Sequence, residues 1–180
     1  GRHTGAGNGD EEMKELLITG AWRCGEQQVQ ALEQMGYAVT FWPDERQAVN
    51  MDTQRFEAVI CGGLFLTTPI ERFPALKCIQ VTSAGLDRVP LDYCKAHGIT
   101  VYNAGGVYSA PMAEFVLGGI LQLYKESKFF AENQAAHRWE KHRGLRELSG
   151  KTACIIGTGS VGSAIARRLR AFDVQTVGMN

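Results

Sequence analysis

Apolar and polar positions fall into short alternating blocks along roughly the first hundred residues. Leu16-Leu17-Ile18-Thr19-Gly20 is a brief apolar run closed by glycine. Residues 27–35 place Val29, Leu32 and Met35 at helical spacing and meet Gly36, which predicts a helix with a glycine stop. Residues 38–42 read as a strand ended by Pro43, and residues 58–61 as another ended by Gly62-Gly63. A short helix is expected after Thr68. Residues 78–81 form the next strand, residues 91–97 a helix closing on Gly98, and residues 99–102 a further strand. Strands alternating with helices imply a parallel sheet covered on both faces. Ligands of such sheets bind beyond the carboxyl ends of the strands. Gly62-Gly63, Ser83-Ala84-Gly85 and Ala104-Gly105-Gly106 stand at such ends.

The texture then changes. Residues 111–130 predict one long helix, capped by Ser109 with Pro111 in its first turn. Met112, Phe115, Val116, Leu117, Ile120, Leu121, Leu123 and Tyr124 wrap most of its circumference, and a helix apolar all round is buried or lies in an interface. Residues 135–147 are charged and irregular and read as a connector. A strand at 152–156, a helix at 160–172 with Val161, Ile165, Leu169 and Phe172 on one face, and a strand at 174–179 complete a βαβ unit.

The turn inside that unit, Gly157-Thr158-Gly159-Ser160-Val161-Gly162, has the glycine spacing that binds dinucleotides. Gly157 permits the tight turn, Gly159 lets backbone approach a pyrophosphate, and Gly162 lets the helix pack against the strand. The amides near Ser160 and Val161 and the helix dipole favour the negative charge. A bare turn of this kind also occurs without a ligand. The strand before it and the helix after it favour the binding reading. The spacing expects Asp or Glu at position 180 to hold a ribose 2′-hydroxyl; this chain has Asn180. A neutral amide still bonds hydroxyls and does not repel a 2′-phosphate, so NADP is expected to be tolerated or preferred.

Composition narrows the functions. Nineteen Lys plus Arg balance nineteen Asp plus Glu, so no long-range field draws in nucleic acid or an acidic membrane. The most apolar stretch, residues 115–124, is too short to span a bilayer. The five cysteines are scattered, never C-x-x-C, and Cys61, Cys78 and Cys154 sit in strand-like runs, which predicts buried free thiols and a reducing, cytoplasmic setting. No metal site is expected: His137 and His142 are five apart without a third ligand, and His97 falls on a surface helix. Residues 1–12 read as a disordered arm or a cloning remnant, with Met13 as a possible native start.

Residues 74–80 (Pro-Ala-Leu-Lys-Cys-Ile-Gln), Ser83-Ala84-Gly85-Leu86-Asp87, residues 98–103, residues 108–114 and Leu148-Ser149-Gly150-Lys151-Thr152 running into the glycine turn together resemble the D-isomer-specific 2-hydroxyacid dehydrogenase family. The resemblance implies a flavodoxin-like substrate domain at 13–103. Residues 104–180 would then hold an interdomain and dimerisation helix, the connector and the first βαβ unit, incomplete, of a Rossmann NAD(P)-binding domain. It implies an active site in the cleft between the domains, and hydride transfer between NAD or NADP and a 2-keto or 2-hydroxy acid, in a homodimer. The amides of Ala84 and Gly85 match those that hold the substrate carboxylate, and Tyr108 matches a tyrosine that reaches the substrate; a plain turn and a wall aromatic are the alternatives. Asp87 and Glu114 are read as structural. Leu64 and Leu66 stand where phosphoglycerate-type members carry arginines, which disfavours a phosphorylated substrate. Asp173 stands where the family usually ends its helix with glycine, at a modest stability cost. The family's Arg, Glu and His are expected beyond residue 180, so no catalytic residue is named. A non-enzymatic NAD(P)-sensing relative of the corepressor kind, or a truncated inactive binding module with a frayed end, are the competing expectations.

Overall fold

The structure, a computed structural model, describes residues 13–180, so the expectation for residues 1–12 lies outside the described residues. The chain divides into two compact units, one ending at Ala104 and one running from Gly105 to Asn180.

In the first unit the elements follow as β1 (Lys14–Thr19), α1 (Glu26–Gln34), β2 (Tyr37–Trp42), β3 (Ala58–Cys61), β4 (Cys78–Val81), α2 (Leu91–Ala96) and β5 (Thr100–Tyr102). The five strands pair in parallel in the order β2-β1-β3-β4-β5, the flavodoxin-like order. Registers Leu17–Val59, Val59–Ile79 and Ile79–Val101 lay one apolar row across the sheet. Phe56, Phe73, Leu64 and Ile70 pack in the same buried cluster as that row. Burying a side chain of this size is worth about 1.5–3 kcal/mol. The helix expected after Thr68 is a single 3-10 turn, Ile70–Arg72, and a second such turn, Leu64–Leu66, follows β3. Of the two leucines in that loop, Leu64 is fully buried, whereas Leu66 is 68% exposed.

The second unit contains α3 (Ser109–Tyr124), α4 (Ser127–Ala135), β6 (Thr152–Ile156), α5 (Ser160–Arg170) and β7 (Gln175–Met179). β6 and β7 pair in parallel from Thr152–Gln175 to Ile156–Met179. Leu117 of α3, Leu148, Leu169 of α5 and Val174 form the small core, with Ile120, Leu121, Ala153, Ile155 and Ile165 against it.

Three expectations need correction here. The helix over 111–130 is two helices. Glu126 takes a left-handed backbone (φ 51), and the Tyr124 carbonyl, which a continuing helix would use, accepts from Arg146 N–H at 3.1 Å instead. Lys125 Nζ also donates to the Arg146 carbonyl (2.8 Å), so the returning connector ends α3. Ser109 does not cap α3. Tyr108 already has helical backbone, and the Ser109 hydroxyl is buried without a hydrogen-bond partner. The turn at Gly106 (φ 85), closed by Ser109 N–H on the Gly106 carbonyl, starts the helical winding one residue too early for Ser109 to cap. Cys154 is exposed rather than buried, because Ala153 and Ile155 take the core-facing positions of β6. Cys78 is only half-buried.

On α3 only Ala113 and Leu117 are fully buried, and Phe115 is 84% exposed. Asp173 adopts φ 57, the left-handed position read from its place after α5.

Burial, and then the nearby Glu45 charge, push the Cys61 thiol from its ordinary 9.0 up to about 12. A raised thiol value means that the folded state holds the proton more tightly than the unfolded chain. The associated stability is complete below pH 9.0 and disappears as pH rises toward 12. Urea unfolding of the wild type and Cys61→Ala across that window should show the difference between them shrinking with pH; a constant difference would contradict the assignment.

Candidate functional site

The glycine turn sits between β6 and α5. Gly157 has φ 90, which only glycine adopts without strain. A Cβ at Gly162 would lie 2.0 Å from the Gly157 carbonyl oxygen and 3.2 Å from Ile155, so this glycine is what allows α5 to close on β6. Gly159 differs: a Cβ there meets nothing within 4 Å, and its φ is −66. Nothing in the described residues therefore requires glycine at 159. The open space in front of it is what an incoming group would use. The amides of Ser160, Val161 and Gly162 form the first turn of α5, where no intrahelical acceptor exists, and no side chain caps them. The loop thus presents unpaired N–H groups, a positive helix end and free space, which is a fit for a pyrophosphate.

Asn180 reaches back to this loop. Its Oδ1 accepts from the Thr158 N–H at 3.1 Å and from the Thr158 hydroxyl. A backbone N–H only donates, so the atom facing it is the oxygen, and the Nδ2 amide is left as a donor for a ligand. Thr158 is braced further by the Ser163 hydroxyl, which donates to its carbonyl at 3.0 Å. Opposite it, Gly178 has no room for a side chain: a Cβ would stand 2.6 Å from Thr158 Cγ2.

In the first unit, Ser83-Ala84-Gly85 follows β4. Its carbonyls are all engaged: Ala104 N–H donates to Ser83 (2.9 Å), Asn103 Nδ2 to Ala84 (2.8 Å), and the Ser83 hydroxyl to Gly85 (3.0 Å). Both Ala84 and Gly85 are exposed, and their amides donate to no acceptor among the described residues. Pinned carbonyls with uncommitted amides make a turn suited to a carboxylate. Asp87 explains Gly85 locally, since a Cβ there would sit 2.8 Å from Asp87 Oδ1. Tyr108 lies in the second unit, half-exposed, at the N-terminal cap of α3. Glu114 ion-pairs with Arg168 of α5 at 3.3 Å, consistent with a structural role. The site residues therefore form two groups: Ala84 and Gly85 in one unit, the glycine turn with Asn180 in the other, where Tyr108 also lies.

The histidines take other places. His97 stacks on Tyr93 (3.8 Å between ring centres), and His142 packs on Phe129 (4.5 Å). Among the described residues no group of three His, Cys, Asp or Glu is placed to hold a metal, and no helix is long and apolar enough to cross a membrane.

Sequence reasoning missed Glu45 and Arg88. The Glu45 carboxylate accepts the N–H groups of Gly62 (2.8 Å) and Gly63 (2.6 Å) and the hydroxyl of Thr19. Its own carbonyl accepts from Thr67 (2.6 Å). Arg88 runs its stem beside Gly63, with Cδ 3.8 Å from where a Cβ would be. No motif spacing marks either residue. The available signal was position alone: a carboxylate two residues past a strand-ending proline.

Residues 17–171 match the family model described as D-isomer specific 2-hydroxyacid dehydrogenase, catalytic domain. Over 144 residues the chain is 31% identical to a glyoxylate reductase of Thermofilum pendens, covering 74% of this chain and 42% of that protein. Among solved structures, D-lactate dehydrogenase from Aquifex aeolicus, complexed with NAD and lactic acid, aligns with a TM-score of 0.72 at 23% identity, covering 92% of this chain and 51% of that one. An NADPH-dependent glyoxylate/hydroxypyruvate reductase from Sinorhizobium meliloti aligns with a TM-score of 0.70 at 24% identity, covering 92% and 53%. The chain spans less than half the length of the curated relatives it matches.

The two inner glycines should separate cleanly in unfolding experiments. Gly162→Ala forces a methyl into the Gly157 carbonyl and should cost about 1–3 kcal/mol in a urea melt of the second unit. Gly159→Ala enters open space and should stay within about 1 kcal/mol of wild type. Equal losses would mean that Gly159 is held by the fold rather than kept for a ligand.

Proposed function

The chain belongs to the D-isomer specific 2-hydroxyacid dehydrogenase family, and from that premise we propose that it serves an oxidoreductase moving hydride between NAD(P)H and a small, unphosphorylated 2-keto or 2-hydroxy acid. In this reading residues 13–103 are the substrate domain and residues 104–180 begin the nucleotide-binding domain. The observation that carries the reading is Gly159, a glycine the fold does not need, set before three uncapped helix amides.

The nicotinamide group, when bound, supplies the hydride. The protein's share is binding and orientation. The amides of Ser160, Val161 and Gly162 hold the pyrophosphate, and Gly157 and Gly162 keep the turn tight enough to aim them. Asn180 offers Nδ2 to the adenosine ribose. A donor without negative charge suits a 2′-phosphate as well as a hydroxyl, so NADP is accepted. The Ala84 and Gly85 amides receive the substrate carboxylate, and Tyr108 contributes a wall to the substrate. No acid or base is assigned among residues 13–180.

The exposed residues of α3, Met112, Phe115 and Leu123, support pairing with a second copy of the chain. The five free cysteines support a reducing, cytoplasmic setting.

A spectrophotometric screen of 2-keto acids with NADH and NADPH tests the proposal, and no oxidation of either by any acid would count against it. Titration by nucleotide fluorescence tests the role of position 180. Asn180→Asp should lower the affinity for NADPH relative to NADH by about tenfold, which is 1.4 kcal/mol. A wild-type kcat/KM that strongly favours NADH would refute the tolerance of NADP.

A further inference from the structure

In sheets of this topology, ligands bind where the strand order reverses. In the order β2-β1-β3-β4-β5 that place is the crevice between the carboxyl ends of β1 and β3. Thr19, the last residue of β1 and fully buried, and Gly62-Gly63, the turn leaving β3, line it. Their hydroxyl and two successive N–H groups converge as an anion-binding nest would. All three donate to one carboxylate, that of Glu45 in the loop after β2: Thr19 and Gly62 to Oε1, Gly63 to Oε2.

Glu45 is held at both ends of the loop it grips. Its side chain takes the start at Gly62-Gly63, and its backbone carbonyl takes Thr67 at 2.6 Å. Four residues on, Val49 N–H donates to the buried Thr68 hydroxyl (3.0 Å), which extends the seam. The loop after β3, with its 3-10 turn, is therefore shaped around this carboxylate.

We propose that Glu45 is a positioning and specificity-determining residue: an internal anion that occupies the crevice, sets the Gly62–Thr67 loop, and closes the nest to carboxylates and phosphates from solution. Resting on the dehydrogenase reading above, this leaves the Ala84-Gly85 amides as the place for the substrate carboxylate. It also places a carboxylate on the turn leaving β3, which disfavours binding of a further anionic group at that turn. The aliphatic stem of Arg88 runs along the same turn, its Cδ 3.8 Å from where a Gly63 Cβ would stand.

The test is chemical rescue in the full chain. A recess of about 360 Å³ lined by Gly20, Ala21, Pro43, Asp44, Glu45 and Arg46 adjoins this residue, and acetate is no larger than the side chain that Glu45→Ala removes. In wild type, the amide resonances of Gly62 and Gly63 should stay fixed on addition of acetate or inorganic phosphate. In Glu45→Ala they should shift saturably, the urea midpoint should fall, and acetate should recover part of the loss where chloride at equal ionic strength does not. Glu45→Gln should lose stability without acetate rescue, because its amide fills the space and turns an N–H donor toward another donor. Titration of Gly62 and Gly63 in wild type overturns the proposal, as does a folded Glu45→Ala that ignores acetate. Should Glu45→Ala fail to fold, the wild-type titration and Glu45→Gln decide, and a Glu45→Gln midpoint equal to wild type overturns it. None of these readouts involves a dinucleotide or a keto acid. Failure of the keto-acid screen therefore removes only the routing to Ala84-Gly85, and failure of rescue leaves the dehydrogenase reading standing.

Discussion

Parallel strand pairing is the constraint from which the rest of the molecule follows. Each of the seven described strands runs in the same direction as its neighbours. Parallel strands cannot be joined by tight hairpins, so every connection must cross over, and within a sheet all carboxyl ends gather along one edge. That edge carries Thr19, Gly62-Gly63 and Ser83-Ala84-Gly85 in the first unit, and Gly157 and Asn180 in the second. The candidate site residues of each unit stand at strand exits because the topology leaves those loops no other place to be.

The groups at these exits are mostly backbone N–H, with few charged side chains. Three sets of amides recur in different states. Those of Gly62 and Gly63 are satisfied by Glu45. Those of Ala84 and Gly85 are uncommitted while their carbonyls are tied down. Those of Ser160 to Gly162 open a helix without a cap. In a chain with no net charge, an anion proposed for such exits would be selected by geometry, since amides are fixed dipoles that bind at short range and exert little long-range pull.

Much of this was legible in the sequence, for reasons that differ by element. The strands β3 and β4 are short apolar runs closed by glycine or serine, and their predicted bounds match the observed ones. Gly157 and Gly162 were readable because steric demands on glycine are local. The break after Tyr124 was not, because its cause is Arg146, twenty-two positions away in sequence and bonded to the last turn of α3. The apolar spacing through Phe130 carried no trace of it. Ser109 misled because capping depends on backbone angles set by the Gly106 turn, not on residue type alone. Glu45 escaped notice for the same reason as Arg146. Its partners at Thr19, Gly62 and Gly63 are brought to it only by the sheet order.

The glycine turn of the second unit has one more consequence. Its shape is dictated from β7: Gly157 N–H donates to the Met179 carbonyl (2.7 Å), Thr158 is gripped by Asn180, and Gly178 clears the space beside Thr158. These residues arrive some twenty positions after the turn itself, Asn180 following Thr158 by 22. While the chain is being made, the loop therefore has the right residues before it has the right form. Its contour is an outcome of strand pairing, because these contacts exist only once β7 lies on β6. A change on β7, remote from the loop in sequence and outside any recognisable motif, would therefore alter the shape of the glycine turn itself.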